Sequence, residues 1–282
     1  MTYSLNQLYK TIGISKQAVL QYQKRQTIFD TKMLQLITEA DELRAEHPGC
    51  GVEKMYYTLA PDFIGRDRFI DTMMQLGYRL KRKKNYKRTT IASKIYYPNL
   101  IKGMKVNAPN TIWQSDITYI PIGNRHYYAV FIIDVYTKEI VGYSITDHMR
   151  ATANVKALQM ALAKHSAPEI HHSDRGSQYT YKGYIDLLKA NNVNISMATS
   201  AQDNAYAERI NRTIKEEYLN YWQPKSFYQL KQQVKKAVTH YNSKRAHNNI
   251  ERKTPKQFNQ NISFLSTQKR YVLTIFNNEC IT

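Results

Sequence analysis

The chain has 282 residues, 42% of them hydrophobic, with 41 Lys or Arg against 22 Asp or Glu, a formal net charge of +19. That length allows one large domain or two to three small ones, and the charge favours a polyanion because Lys and Arg displace counterions condensed on phosphates, a property DNA- and RNA-binding proteins share. Two unpaired cysteines argue against a disulfide scaffold and fit a reducing cytosol, and no signal peptide or run of about 18 apolar residues points to a membrane.

Residues 4–26 read as a small helix-turn-helix. Leu5, Leu8 and Ile12 form a helical stripe, Gly13 permits the turn, and Ser15 can cap a second helix. Ala18 and Val19 then pack inward, leaving Lys16, Gln17 and Gln21 for a groove of DNA. A separate helix is expected over 31–46, ended by Pro48-Gly49. His47 and Cys50 are spaced like half a zinc site, but with no second half nearby the spacing reads as coincidence. Helices follow over Val52–Leu59 and Arg66–Leu76, with Gly77 as a C-terminal cap.

From Thr72 to Ser115 there is no acid but ten basic residues, seven of them between Arg79 and Arg88. Arg79, Lys81, Arg82, Lys83, Lys84, Lys87 and Arg88 read as a basic arm suited to the DNA backbone rather than to base edges. Pro98, Gly103 and Pro109 punctuate a connector.

Beyond Thr111 the pattern changes to strands. Ile117–Pro121, His126–Val135 and Ile140–Thr146 predict an antiparallel meander with a turn at Gly123-Asn124. Then come a helix over Thr152–His165, a strand over Glu169–Ser173, a helix over Tyr184–Ala190 and a strand over Val193–Met197. Long helices are expected over Asn204–Trp222 and Phe227–Lys244, and a short one opens at Thr254-Pro255. The order β-β-β-α-β-α-β-α is that of an α/β, ribonuclease-H-like mixed five-stranded sheet with flanking helices, preceded by small all-α helix-turn-helix regions. The expected divisions are 1–28, 29–88 with the basic arm, a linker over 89–107, a catalytic core with C-terminal helices over 108–262, and a tail over 263–282.

Three acids stand in positions suited to phosphodiester chemistry. Asp116 lies in the first strand of the sheet, Asp174 just after the fourth, and Glu208 one turn into the helix after the fifth. Two Mg²⁺ ions about 4 Å apart can hold attacking and leaving oxygens in line, and hard carboxylate oxygens suit that metal, with Mn²⁺ as a substitute. Asp116 would bridge both ions, with Asp174 and Glu208 each completing one. Asp134, at a strand end, reads as structural, and Asp203 as a cap. Arg212 and Lys215 follow Glu208 by four and seven residues, so they share its face and could hold the flanking phosphates.

Trp113-Gln-Ser-Asp116-Ile-Thr-Tyr-Ile120, His172-Ser-Asp174-Arg-Gly-Ser-Gln-Tyr-Thr180 and Asp203-Asn-Ala-Tyr-Ala-Glu208 resemble an OrfB-type DDE transposase of the bacterial "insertion sequence three" family, related to retroviral integrases. Tyr241-Asn242, Arg245, His247 and Thr254-Pro255 match downstream, and His47-Pro48-Gly49 with Ile64–Phe69 match upstream. The resemblance implies an integrase catalytic core with Asp116, Asp174 and Glu208 as metal ligands. It implies hydrolysis at element ends, where terminal inverted repeats are bound, and strand transfer by the freed 3′-hydroxyl without a covalent protein–DNA intermediate. Double-stranded DNA, both element ends and target, is the implied partner of a homo-multimer in the bacterial cytoplasm, at the nucleoid, together with an upstream OrfA-type protein in some cases. The Asp174–Glu208 interval is two residues shorter than is usual in that family, and the zinc module of retroviral integrases is absent. A domesticated, non-catalytic DNA-binding regulator is the competing reading, and a nuclease without joining activity is a third.

Overall fold

The structure, a computed structural model, describes residues 4–80 and 96–275. It divides into two units, Met1–Glu46 with Cys50–Lys81 and His47–Gly49 with Arg82–Thr282.

The first unit is all helical. α1 (Leu5–Thr11) opens with a capping box in which the Ser4 hydroxyl accepts from the Gln7 amide and the Gln7 side chain reaches back to Ser4. Gly13, at φ 68°, turns the chain into α2 (Lys16–Glu46), a single helix of 31 residues. The expected break between residues 26 and 31 is absent, so the boundary at residue 28 falls inside a helix. No Gly or Pro interrupts α2, and its Gln, Lys, Leu and Ala outweigh the weak penalty of Thr27 and Ile28.

The helix-turn-helix order is present, but its packing is not. α1 buries no residue, Leu5, Leu8 and Ile12 are exposed, and Ala18 and Val19 gain no core either. Two helical segments of this size offer too little apolar surface to close a core alone. Lys16, Gln17 and Gln21 are exposed on α2. Its C-terminal half does pack. Met33, Leu36 and Ala40 meet Val52 and Met55 of α3 (Val52–Leu59) and Phe69 and Met73 of α4 (Arg66–Gln75). Cys50 is buried in this cluster as a small apolar residue. Arg79 is exposed, whereas Lys81, Arg82, Lys83, Lys84, Lys87 and Arg88 lie outside the described residues.

The second unit is built on strands β1 (Lys105–Val106), β2 (Ile112–Ile122), β3 (Arg125–Asp134), β4 (Ile140–Thr146), β5 (Ile170–Ser173), β6 (Asn194–Met197) and β7 (Leu273–Thr274). Between and after them run α5 (Thr152–Leu162), α6 (Lys182–Ala190), α7 (Ala205–Ile214), a π-helical turn (Lys215–Leu219), α8 (Asn220–Trp222), α9 (Phe227–Ser243) and α10 (Pro255–Ser263). The main sheet has the order β4-β3-β2-β5-β6, antiparallel from β4 to β2 and parallel from β2 to β6. This is the expected ribonuclease-H-like mixed sheet.

Both faces of the sheet are covered, which is why β3 reads as an unbroken apolar run. Side chains alternate across a strand, so Phe131 and Ile133 pack with α7 and α9, while Val130 and Ile132 pack with α5 and α6. The expected linker and tail are not peripheral. Ile101 and Val106 are buried with Ile275, β1 pairs with β7, and Leu100 N donates to Ser196 Oγ at 2.9 Å. Each segment is apolar enough to cover the other but too short to show it in sequence.

The π turn is braced from several directions. The Glu217 carboxylate accepts from Arg245 at 2.7 and 2.8 Å and lies 2.6 Å from His47 Nε2. Gly49 N donates to Glu217 O at 2.6 Å, and a Cβ there would stand 2.2 Å from Glu217 Cα, so only glycine fits. His47 and Cys50 therefore serve different purposes, His47 at Glu217 and Cys50 in the apolar cluster. Asn242 bonds both Ile140 N and Ile140 O, and Thr254 caps α10. Among the described residues, no helix is long and apolar enough to cross a membrane.

A second close approach lies between sheet and helix. A Cβ on Gly142 of β4 would come 2.3 Å from Ala157 O and 2.9 Å from Ala161 Cβ of α5. Gly142→Ala must push α5 off the sheet and is expected to cost about 1–3 kcal/mol. Urea unfolding of the two proteins checks this, and an unchanged midpoint would contradict the packing.

Candidate active site

Asp116 and Asp174 meet because β2 and β5 run side by side. Ser115 pairs with Ser173 across the parallel ladder, so Asp116, the next residue of β2, and Asp174, just past the end of β5, follow the same rung. Adjacent strands lie about 4.8 Å apart, which makes the two acids neighbours. Glu208 comes from α7, which packs on β2 and β3.

The surrounding polar groups hold this arrangement. Asp116 Oδ1 accepts from the Ile117 amide at 2.9 Å, and its Oδ2 accepts from Asn211 Nδ2 at 2.8 Å. Asp174 Oδ1 accepts from the Gly176 amide at 3.0 Å. Gln114 donates to Asp203 O at 3.2 Å and Asn204 to Ser115 O at 3.0 Å, tying the entrance of α7 to β2. Ser115 Oγ and Tyr179 OH lie 2.9 Å apart beneath the carboxylates.

Two acids lie apart from the site, Asp134 as the expected structural residue and Asp203 as a brace of the turn before α7 rather than its cap, the position Asn204 takes. Asp134 is buried and accepts from the backbone amides of Asn110, Tyr136 and Thr137. Asp203 holds the turn before α7 through Thr199 and Ser200; although burial opposes it, these hydrogen bonds bring its pKa down to about 2. Arg175 of the Asp174 motif is also occupied, donating to Ala198 O at 2.9 Å with its guanidinium over the Tyr96 ring.

The three acids feel one another. Burial, then Asp174 and Glu208, pushes Asp116 up to about 7. Burial raises Asp174 against the Gly176 hydrogen bond. Burial raises Glu208 too, with Arg212 opposing and Asp174 adding to the rise. Lys215 is lowered by burial, with Asp116 pulling the other way, so the basic residues of this helix flank the carboxylates. Yet among the described residues no three His, Cys, Asp or Glu side chains stand closely enough to hold a metal ion. The acids share a region without forming a finished cage.

Asn211 is the site residue that sequence reading missed. It follows Glu208 by three residues on α7 and is buried, and its Oδ1 has no hydrogen-bond partner among the described residues. An amide one turn beyond a candidate acid was the only available signal.

The donor set fits a hard divalent cation. It consists of carboxylate oxygens with an idle amide carbonyl beside them, and the mutual repulsion of the acids is what a cation would relieve. Without metal the repulsion remains. The Asp116 carboxyl binds its proton more tightly in the folded than in the unfolded chain. Stability present below about pH 4 is therefore lost as pH rises towards about 7. Metal-free Asp116→Asn should melt above the metal-free parent at about pH 8 and close the gap by about pH 4. Thermal melts across that range measure it, and a gap independent of pH would argue against the raised proton affinity that burial and the neighbouring acids give Asp116.

Two models described as "Integrase core domain" match residues 106–202 and 192–255. The transposase for insertion sequence element IS904 of Lactococcus lactis subsp. lactis (strain IL1403) is 35% identical over 167 residues, 57% of this chain and 66% of that protein. The insertion element IS600 uncharacterized 31 kDa protein of Shigella sonnei is 34% identical over 181 residues, 61% of this chain and 66% of that protein. The chain thus spans just under two thirds of these relatives' length. The HTLV-2 integrase catalytic core domain in complex with magnesium matches 57% of this chain and 99% of its own at 20% identity and a TM-score of 0.46. With matches running from residue 106 to residue 255, more than half of its length, the chain belongs to the integrase-core family alongside the transposases of bacterial insertion sequences.

Proposed function

We propose that this protein is a transposase that cuts DNA at the ends of a mobile element and joins those ends to a target. Asp116, Asp174 and Glu208 are the residues that would hold its Mg²⁺. The observation that carries the reading is the parallel β2–β5 register, which sets two of the acids on adjacent strands with the third on the helix packed against them. The relatives named as transposases support it. When bound, Mg²⁺ supplies charge stabilisation of the attacking and leaving oxygens of a phosphodiester.

The chain's own residues do the rest. Asn211 fixes the Asp116 carboxylate through the Nδ2 hydrogen bond and leaves its carbonyl free beside the site. Arg212 and Lys215 hold phosphates next to the scissile bond. Water opens the phosphodiester at the element end, leaving a 3′-hydroxyl. That hydroxyl then attacks a target phosphodiester, whose own 3′-oxygen departs, so one bond forms as one breaks. Two ends must be handled together, which calls for a homo-multimer on double-stranded DNA in the bacterial cytoplasm, with an OrfA-type protein as a possible helper. Lys16, Gln17, Gln21, Arg79 and the basic residues that follow are its DNA-binding candidates outside the core.

Glu208→Gln keeps the size of the side chain and removes its charge. With labelled element ends and Mg²⁺, the parent should give cleaved and joined products. The variant should lose both by about 100-fold or more while binding DNA with similar affinity. Joining at the parental rate would refute the assignment of the site. A parent that binds but yields no product would be a regulator, and one that cuts without joining would be a nuclease.

A further inference from the structure

A groove of about 350 Å³ runs along the free edge of the main sheet, away from the three carboxylates. Its floor is Tyr143 and Ile145 of β4, which pairs only with β3 among the described residues. One wall is α5, with Lys156 and Met160, and the other is α9, with Lys231 and Lys235. These helices cover opposite faces of the sheet, so lysines from both layers converge past its edge.

The charge here is one-sided. No Asp or Glu occurs between His148 and Pro168 or between Tyr218 and Ile250, the stretches containing α5 and α9. Lys231 and Lys235 are four apart on one helix, a spacing at which like charges repel. Among the described residues none of the three lysines forms an ion pair with an acid, although Lys231 lies over the Phe227 ring at 4.1 Å. The same edge of a second copy would bring lysines against lysines. An anionic occupant relieves the repulsion instead, and outward backbone amides on β4 add donors of the kind that phosphates accept.

We propose that this edge groove is a track for the phosphate backbone of duplex DNA, separate from the carboxylate site, with Lys156, Lys231 and Lys235 as its contacts. The inference rests on the reading of the chain as a DNA-handling protein. Lysines also guard sheet edges against aggregation, and the two roles differ in what they do to DNA.

The test uses the full chain and a fluorescent duplex of arbitrary sequence, titrated by anisotropy over a range of KCl concentrations. Each lost phosphate contact makes the slope of log K against log salt shallower by about 0.9. The triple variant Lys156→Gln, Lys231→Gln, Lys235→Gln should therefore flatten the slope by about 2–3. The corresponding triple change to Arg should restore it. Cleavage of a saturating element end should persist in both. If the parent binds and cuts DNA while the Gln variant keeps the parental slope, the groove assignment is wrong and the proposed function stands. If the parent binds no duplex, the function itself fails. A Gln variant that aggregates or changes oligomeric state, with the salt slope of its soluble fraction unchanged, marks an edge guard and overturns the track. Should that variant not fold, the Arg triple and the three single Gln variants read the same slope, each single change expected to remove about 0.9. Competition by poly-glutamate but not by duplex would also overturn it, in favour of an acidic protein partner.

Discussion

Four rungs of parallel pairing, Ile112–Ser115 against Ile170–Ser173, set the relative places of the acids in the second unit. That ladder joins segments separated by more than fifty residues, and an aspartate follows its last rung on each side, Asp116 within β2 and Asp174 just past β5. Burying these carboxylates is electrostatically unfavourable and raises the proton affinity of all three, and neighbouring acids add to the rise at Asp116 and Glu208. The arrangement persists because the strands carrying it are held by cores on both faces of the sheet, whose stability does not depend on the acids. Arg212 and the hydrogen bonds from Ile117, Asn211 and Gly176 offset part of this cost, and a bound cation would offset more.

The motif residues divide into those that bear charge into the site and those that shape it. Asp116, Asp174 and Glu208 are of the first kind. Arg175, Asn204, Tyr241, Asn242, Arg245 and Thr254 are of the second, engaged in hydrogen bonds, caps or the core. The bracing of Glu217 is the most elaborate example. A π-helical turn breaks the regular pattern of the helix that carries Glu208, and such turns are often found where function demands them. Here a buried arginine, a histidine and a glycine with no room for a side chain hold that turn.

Charge is distributed with similar economy. Acids are absent from the segment between Thr72 and Ser115 and from the helices lining the sheet edge, yet they gather at the site. A surface patterned in this way attracts a polyanion broadly while reserving cation chemistry for one spot.

Much of the catalytic unit could be read directly from the chain, because alternation and helical periodicity are local. β3 and β4 lie within a residue of expectation, α9 ends one residue early, and the acids fall on the strands and helix assigned to them. Local signals misled where burial decides the outcome. The stripe of Leu5, Leu8 and Ile12 has helical spacing but nothing to cover it, and the supposed gap before residue 31 is helix. Linker and tail looked irregular because two-residue strands carry no periodicity of their own, and only their mutual pairing makes them β1 and β7. Gly49 and Gly142 read as turn and strand residues, although each marks a backbone that another element approaches too closely for a Cβ. Composition, periodicity and motif spacing by themselves determined the order of elements, the places of the acids along it and the excess of positive charge. Tertiary structure alone decided that Asn211 grips Asp116, that Glu217 is clamped and that lysines from two layers share a groove. Such contacts join residues far apart along the chain, and a pattern confined to neighbouring positions carries no record of which distant surface will arrive.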